Sequence, residues 1–213
     1  MPHMGRLLGQ TAAPVAGARS AACRVAGARA TVASSPAPPQ VSPPMTLSFT
    51  ATAVPGVLVA TGCRNAASGP EPIFAAAAAP PGLSDRLARA ELFHLAERGA
   101  LRGLYRAAGQ VVLRCVQGRV WAAAVDLRAE SPAFRRSVGL ELAATGPALV
   151  VPCGCAHGFV ALSDSATLLR LAAADGPAAG LRWDDPLLGI AWPLARVTVA
   201  AADRGFPAFV LPA

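Results

Sequence analysis

The stretch Val150 to Asp164, VVPCGCAHGFVALSD, decides how this chain folds. From His157 onward the residues alternate, so an extended chain puts His157, Phe159 and Ala161 on one face and Gly158, Val160 and Leu162 on the other. The histidine has apolar, strand-forming sequence on both sides. Such a residue is either a core histidine satisfied by a backbone carbonyl or a functional group placed inside a β structure. Cys153, Cys155 and His157 also alternate, and thiolate with imidazole suits zinc or iron. That spacing is tight for a metal and lies on a Pro-Gly turn, so no metal site is assigned.

Outward from this stretch the chain reads as short strands broken by turn residues, the signature of a sandwich or barrel. Val111 to Val116, the turn Gln117-Gly118-Arg119 and Val120 to Leu127 predict a hairpin. Ala148 to Val151 and Gly158 to Leu162 flank the Pro-Cys-Gly-Cys turn, and Ala166 to Leu171 forms a further strand before Asp175-Gly176-Pro177. Nearer the start, TLSFTATAVPGVLV (46–59) predicts two short strands around Pro55-Gly56. One helix is expected, Ser84 to Glu97, with Ser84 as cap and Leu87, Glu91 and His94, or Ala88, Leu92 and Leu95, at helical spacing. The class is antiparallel all-β.

The chain has 213 residues. That allows one domain plus a tail, with a domain burying roughly 70% of the surface its unfolded chain exposes. Residues 1–44 are rich in Ala, Pro, Gly, Ser and Arg, have no sustained period and end in SSPAPPQVSPP, so they are expected to be a disordered extension before a domain at 45–213. An organelle transit peptide and an upstream start before Met45 are the other readings of this tail. All nineteen basic residues are arginine, and the net charge is +7. Four of those arginines (Arg6, Arg19, Arg24, Arg29) precede Met45 with no acid, which leaves fifteen against twelve acids in the remainder. With one tyrosine and scattered arginines, the basic patch with interleaved aromatics that nucleic acid prefers is missing. Five cysteines at irregular spacing read as reduced. No apolar run is long enough for a membrane span, so the expected setting is the cytoplasm with no membrane partner.

Several pieces, in order, resemble one family, the dTDP-4-dehydrorhamnose 3,5-epimerases, which are cupin-type double-stranded β-helices (jelly rolls). They are ATAVPGVLV, LRGL at Leu101 to Leu104, the segment from Leu113 to Phe134, VPCGCAHGFVALSD, and RWDDPLLGIAWPL from Arg182 to Leu194. The resemblance implies a cofactor-free isomerase of deoxysugar or natural-product biosynthesis. In such an enzyme a base removes a proton next to a ketone and an acid returns one from the opposite face. It also implies a homodimer that exchanges an N-terminal strand, and a small-molecule substrate of the dTDP-4-keto-6-deoxy sugar class.

Carried over by position, Arg102 matches an arginine that grips the sugar nucleotide's phosphate, His157 the pocket histidine, and Asp203 the aspartate that orients the base. Arg114 joins Arg102 as a candidate substrate-binding residue. The base histidine's position holds Tyr105, the acid tyrosine's holds Arg170, and the lysine's holds Val111. The early Asp-x-Arg-Gly element has dissolved into AASGPEP. The catalytic candidates are therefore Tyr105, His157, Arg170 and Asp203. A phenol ionising at about 10 must be lowered by about three units, or about 4 kcal/mol, to act as a base near neutral pH. Arg102, Arg106, Arg114 and Arg170 are the cations expected to do that around Tyr105. His157 is the alternative base. Three readings stay open: an epimerase of the family's kind with altered acid and base residues, a barrel repurposed for a non-sugar keto metabolite, and a non-catalytic homologue. Trp183, Asp184, Asp185 and Trp192 are expected to close the barrel, with the aspartates capping a turn beside Pro186.

Overall fold

The computed structural model describes residues 48–62, 89–173 and 179–212. The expected extension 1–44, its boundary at Met45, the AASGPEP segment and the start of the expected helix lie outside the described residues. Among the described residues eleven strands run in chain order: β1 (Ser48–Ala51), β2 (Leu58–Thr61), β3 (Arg89–Leu95), β4 (Ala100–Arg106), β5 (Val111–Gln117), β6 (Arg119–Asp126), β7 (Ser137–Ala143), β8 (Ala148–Val151), β9 (Cys155–Ala161), β10 (Ala166–Ala172) and β11 (Thr198–Val199). A 3-10 turn, Ala201–Asp203, follows. One sheet has the order β1-β2-β8-β5-β10-β3 and the other β11-β4-β9-β6-β7, with only the β11–β4 pair parallel. The fold is the all-β, cupin-type jelly roll that the sequence resemblance implied.

The core sits between the two sheets and follows from the alternation. Tyr105 from β4, Val111, Leu113 and Cys115 from β5, Ala122 and Ala124 from β6, Cys155, Phe159 and Ala161 from β9, and Leu168 from β10 meet there. Each fully buried Val, Leu or Phe contributes roughly 1.5–3 kcal/mol, so this inner layer holds the sheets together. The outer face of the five-stranded sheet is covered by Leu181, Leu188 and Phe209 from the C-terminal segment, packed against Leu104, Val125 and Ala156. Trp192 donates its indole N–H to the Trp183 carbonyl at 3.0 Å. Asp185 accepts from the backbone N–H of Leu187 at 2.9 Å and of Phe209 at 2.7 Å. These bonds hold the C-terminal segment to itself, and Trp192 packs edge-on against Trp121 of β6 at 5.4 Å.

Two expectations are corrected. Arg89–Leu95 is not helical: it is strand β3, at the edge of the six-stranded sheet, paired antiparallel to β10 from Arg89↔Ala172 to Leu95↔Ala166. Inward Phe93 and Leu95 alternate with outward Leu92 and His94, and the extended backbone pairs the edge of β10 that a helix here would leave open. Nor do Val111 to Val116 and Val120 to Leu127 form a hairpin. β5 pairs with β8 and β10, whereas β6 pairs with β7 and β9. Gly118, with φ +70°, turns the chain out of one sheet and into the other. In a two-sheet sandwich that corner buries both strands, as a flat hairpin would not.

Candidate active site

Strand pairing brings the polar residues together. Tyr105 on β4 and His157 on β9 are cross-strand partners, and Arg102 is the partner of Phe159. The β4–β9 register is irregular between Arg102 and Tyr105, which turns residues three apart toward the same interior. Gly103 lies inside that irregularity with φ +105°. A side chain there would place its Cβ 2.9 Å from both Gly158 Cα and the His157 carbonyl oxygen, so only glycine lets β4 and β9 approach this closely.

Asp203, from the 3-10 turn, is the hub of one half of the site. Its Oδ2 accepts from Tyr105 Oη at 2.7 Å, Arg102 Nε at 2.8 Å and the Gly103 backbone N–H at 3.0 Å. Arg102 Nε also lies 3.0 Å from Tyr105 Oη, and the guanidinium sits over the Phe93 ring at 5.0 Å. No other partner holds its terminal nitrogens among the described residues, and its side chain keeps 29% exposure. Asp203 also borders a cleft of about 360 Å3 with Arg182, Trp183, Asp184, Val199 and Arg204.

His157 and Arg170 make the second half. Arg170 Nε donates to His157 Nε2 at 3.1 Å, and Arg170 Nη1 is ion-paired to Glu91 of β3. An arginine only donates, so Nε2 is the bare nitrogen and the imidazole proton sits on Nδ1. His157 is wholly buried, and its Nδ1 has no hydrogen-bond partner. Burial, reinforced by the Arg170 charge, pushes its pKa down to about 3, which keeps the ring neutral at physiological pH.

The structure therefore unites Arg102, Tyr105 and Asp203 in one cluster and His157 with Arg170 in another. The two touch through the Tyr105 and His157 rings, whose centroids are 5.9 Å apart. Arg114 is not brought to either cluster. It is buried, yet its guanidinium donates to the carbonyls of Gly146 and of Ala144, the latter at 2.9 Å, and so ties down the β7–β8 connection. A lowered phenol pKa at Tyr105 is also corrected. Burial, and then the hydrogen bond to the Asp203 carboxylate, push the phenol above its ordinary value, and Arg102 only partly offsets them. At neutral pH Tyr105 is a neutral donor.

Cys153, Cys155 and His157 do not converge. The Cys153 thiol is exposed and lies 3.2 Å from the Ala108 carbonyl, Cys155 points into the interior 4.0 Å from Asp126, and His157 Nε2 is occupied by Arg170. Burial pushes the Cys155 thiol up to about 11. Sequence reasoning missed two residues of the site, Glu91 and Phe93. Both lay in the segment read as a helix, where an exposed leucine (Leu92, 58% exposed) and an inward glutamate reverse the usual strand pattern. Phe93 packs on Phe159 at 5.1 Å and on Tyr105 at 6.2 Å, and Phe206 stands edge-on to Tyr105 at 5.9 Å.

The sequence profile of the dTDP-4-dehydrorhamnose 3,5-epimerase family matches residues 74–210. Among curated relatives, the chain is 36% identical over 120 residues to the dTDP-4-dehydrorhamnose 3,5-epimerase of Salmonella typhimurium, covering 52% of this chain and 66% of that protein. The chain spans about half to two thirds of the length of the curated relatives it matches. Among solved structures, a 4-keto-6-deoxy sugar epimerase from the novobiocin biosynthetic gene cluster of Streptomyces spheroides aligns with a TM-score of 0.63 at 29% identity, over 79% of this chain and 91% of that one. A Streptococcus suis relative in complex with dTDP-D-xylose aligns with a TM-score of 0.64 at 25% identity, over 76% of this chain and 91% of that one.

Proposed function

The chain belongs to the dTDP-4-dehydrorhamnose 3,5-epimerase family, and from that membership we propose that it is an epimerase-like isomerase. Its substrate would be a dTDP-linked 4-keto-6-deoxy sugar of deoxysugar or natural-product biosynthesis, and its chemistry cofactor-free proton transfer next to the ketone with altered acid and base residues. The observation that carries this reading is the pair of touching clusters at the family's site positions, Arg102–Tyr105–Asp203 and His157–Arg170.

Each group has a role that its surroundings fit. The guanidinium fork of Arg102 receives the diphosphate, since paired N–H donors match phosphate oxygens. Tyr105, kept neutral, is the acid that returns a proton to carbon, and Arg102 beside it steadies the phenolate left behind. Asp203 positions both. The bare N–H at His157 Nδ1 and the Arg170 guanidinium face the ketone oxygen and hold the negative charge it gains as the enolate forms. A homodimer in the cytoplasm belongs to the same proposal. No helix among the described residues is long and apolar enough to cross a membrane.

A second reading has an observation of its own. Phe93 and Phe206 pack on Tyr105 and Phe159 packs on Phe93, an apolar surround that favours a non-sugar keto metabolite in a repurposed barrel. Thermal-shift titration with dTDP and dTDP-glucose, beside an unrelated nucleotide, separates the two. A ligand at a hundred times its Kd stabilises by about 2.7 kcal/mol. Stabilisation by the thymidine nucleotides alone is expected; an unmoved melting temperature would remove the sugar nucleotide and leave the keto-metabolite reading.

A further inference from the structure

Proton abstraction needs a base, and the groups at the expected positions are poor ones. Tyr105 is neutral and donating. The lone pair of His157 Nε2 is engaged by Arg170. Asp203 is buried and already accepts three hydrogen bonds on one oxygen. Among the described residues, the Glu91 carboxylate is the one bonded to the His157–Arg170 pair. β3 carries it on the strand face of Phe93 and opposite Arg170 in the β3–β10 ladder, and its Oε2 is ion-paired to the same guanidinium that holds His157. Arg89 Nε lies 3.0 Å from its Oε1, so an arginine engages each oxygen, but a carboxylate oxygen has a second lone pair where His157 Nε2 has one only, and the 28% exposure of the Glu91 side chain sets it apart from buried Asp203.

These contacts close a ring. Glu91 bonds Arg170, Arg170 bonds His157, the His157 ring meets Tyr105, Tyr105 meets Phe93, and Phe93 stands two residues from Glu91 on one strand face. Glu91 comes from the six-stranded sheet and Tyr105 from the five-stranded sheet opposite. Glu91 and Tyr105 thus belong to different sheets and are joined through the Arg170 cation and the His157 imidazole; inversion next to a ketone needs a base and an acid on opposite faces of the reacting carbon.

We propose that Glu91 is the catalytic base of this barrel, removing the proton from the carbon beside the substrate's ketone. This rests on the reading of the protein as a keto-sugar isomerase. The Glu91 carboxylate takes the proton as the C–H bond breaks. The electron pair forms a carbon–carbon double bond, and the carbonyl π pair moves onto oxygen, beside Arg170 and His157 Nδ1–H. The enolate then collapses to the ketone and takes the Tyr105 phenol proton at carbon from the opposite face. Transfer of the Glu91 proton to the Tyr105 phenolate through solvent resets both groups. Atoms and charge balance without an oxidant or a cofactor.

The test is wash-in of deuterium from D2O into a dTDP-4-keto-6-deoxy sugar, read by NMR and mass spectrometry, for the wild type, Glu91→Gln and Glu91→Ala. Glu91→Gln keeps the shape and an acceptor for Arg170. It is expected to lower exchange at least 100-fold while leaving the dTDP thermal shift unchanged, and added formate is expected to restore exchange in Glu91→Ala at least tenfold. Exchange in Glu91→Gln within threefold of wild type would overturn the proposal. Lost exchange that formate does not recover would also overturn it, by making Glu91 a positioning residue. A wild type that neither shifts with dTDP nor exchanges would sink the keto-sugar reading itself, which is a result distinct from an active wild type beside an active variant.

Discussion

Tyr105 donates a hydrogen bond from its hydroxyl to a carboxylate and accepts one from an arginine N–H, so its chemistry is fixed by partners more than by its place in the sequence. The position was legible in the Arg-Gly-Leu motif. The direction of its pKa was not, because burial and the Asp203 contact come from a 3-10 turn 98 residues away. Tyr105→Phe removes a charge-assisted hydrogen bond and is expected to cost about 1.5–3 kcal/mol in stability, measured by urea unfolding, and to abolish deuterium return to carbon. A variant as stable as wild type would mean that the Asp203 contact contributes nothing. Gly103→Ala tests the close approach of β4 and β9. Its φ of +105° and the 2.9 Å contacts with backbone predict a loss of more than about 3 kcal/mol, seen as a collapse of soluble yield or of melting temperature. A well-folded Gly103→Ala protein would show that the two strands can part.

The elements divide by whether their pattern is local. β9 and β10 were readable because apolar residues alternate between clear turn signals. β3 was not, since its inward glutamate is compensated by Arg170, 79 residues on, and no window of sequence contains that partner. If β3 is the edge strand described, Leu92→Thr on the outer face changes stability by less than about 0.5 kcal/mol. Phe93→Thr, which strips a ring from the interior, costs about 3 kcal/mol. Equal costs at the two neighbours would contradict the strand. The β5–β6 corner has the same lesson: residues on either side of Gly118 look like hairpin arms, and only the existence of a second sheet sends them apart. Arg114 was read as a ligand for substrate because the sequence cannot say which face of β5 it occupies. Its bonds to the Ala144 and Gly146 carbonyls predict that Arg114→Ala lowers stability by about 2–4 kcal/mol, through buried acceptors left unpaired, yet leaves the thermal response to dTDP intact. Loss of that response in a folded variant would restore Arg114 to the binding site.

On the scale of the whole molecule, a two-sheet barrel that encloses a neutral histidine must lose stability in acid. The unfolded chain protonates His157 near its ordinary value of 6.5, whereas the folded protein resists until about 3. Between those limits the unfolded state binds the extra proton, so the contribution is fully present above 6.5 and is lost progressively as pH falls toward 3. The loss is on the order of 5 kcal/mol at its low-pH end. Carboxylates such as Asp126, which Arg128 and Ser131 hold below the usual range against the opposing effect of burial, add their own loss only as pH falls below their unfolded value of 3.8. The window from 6.5 down to about 4.5 therefore belongs largely to the histidine. His157→Gln keeps an acceptor for Arg170 and removes the titration, so its melting temperature should decline less steeply than that of the wild type across this window, even if it starts lower at pH 7. Parallel curves would mean that His157 is hydrated and titrates in the folded state. Its Nδ1–H would then be turned toward solvent, not toward a ketone held inside the barrel.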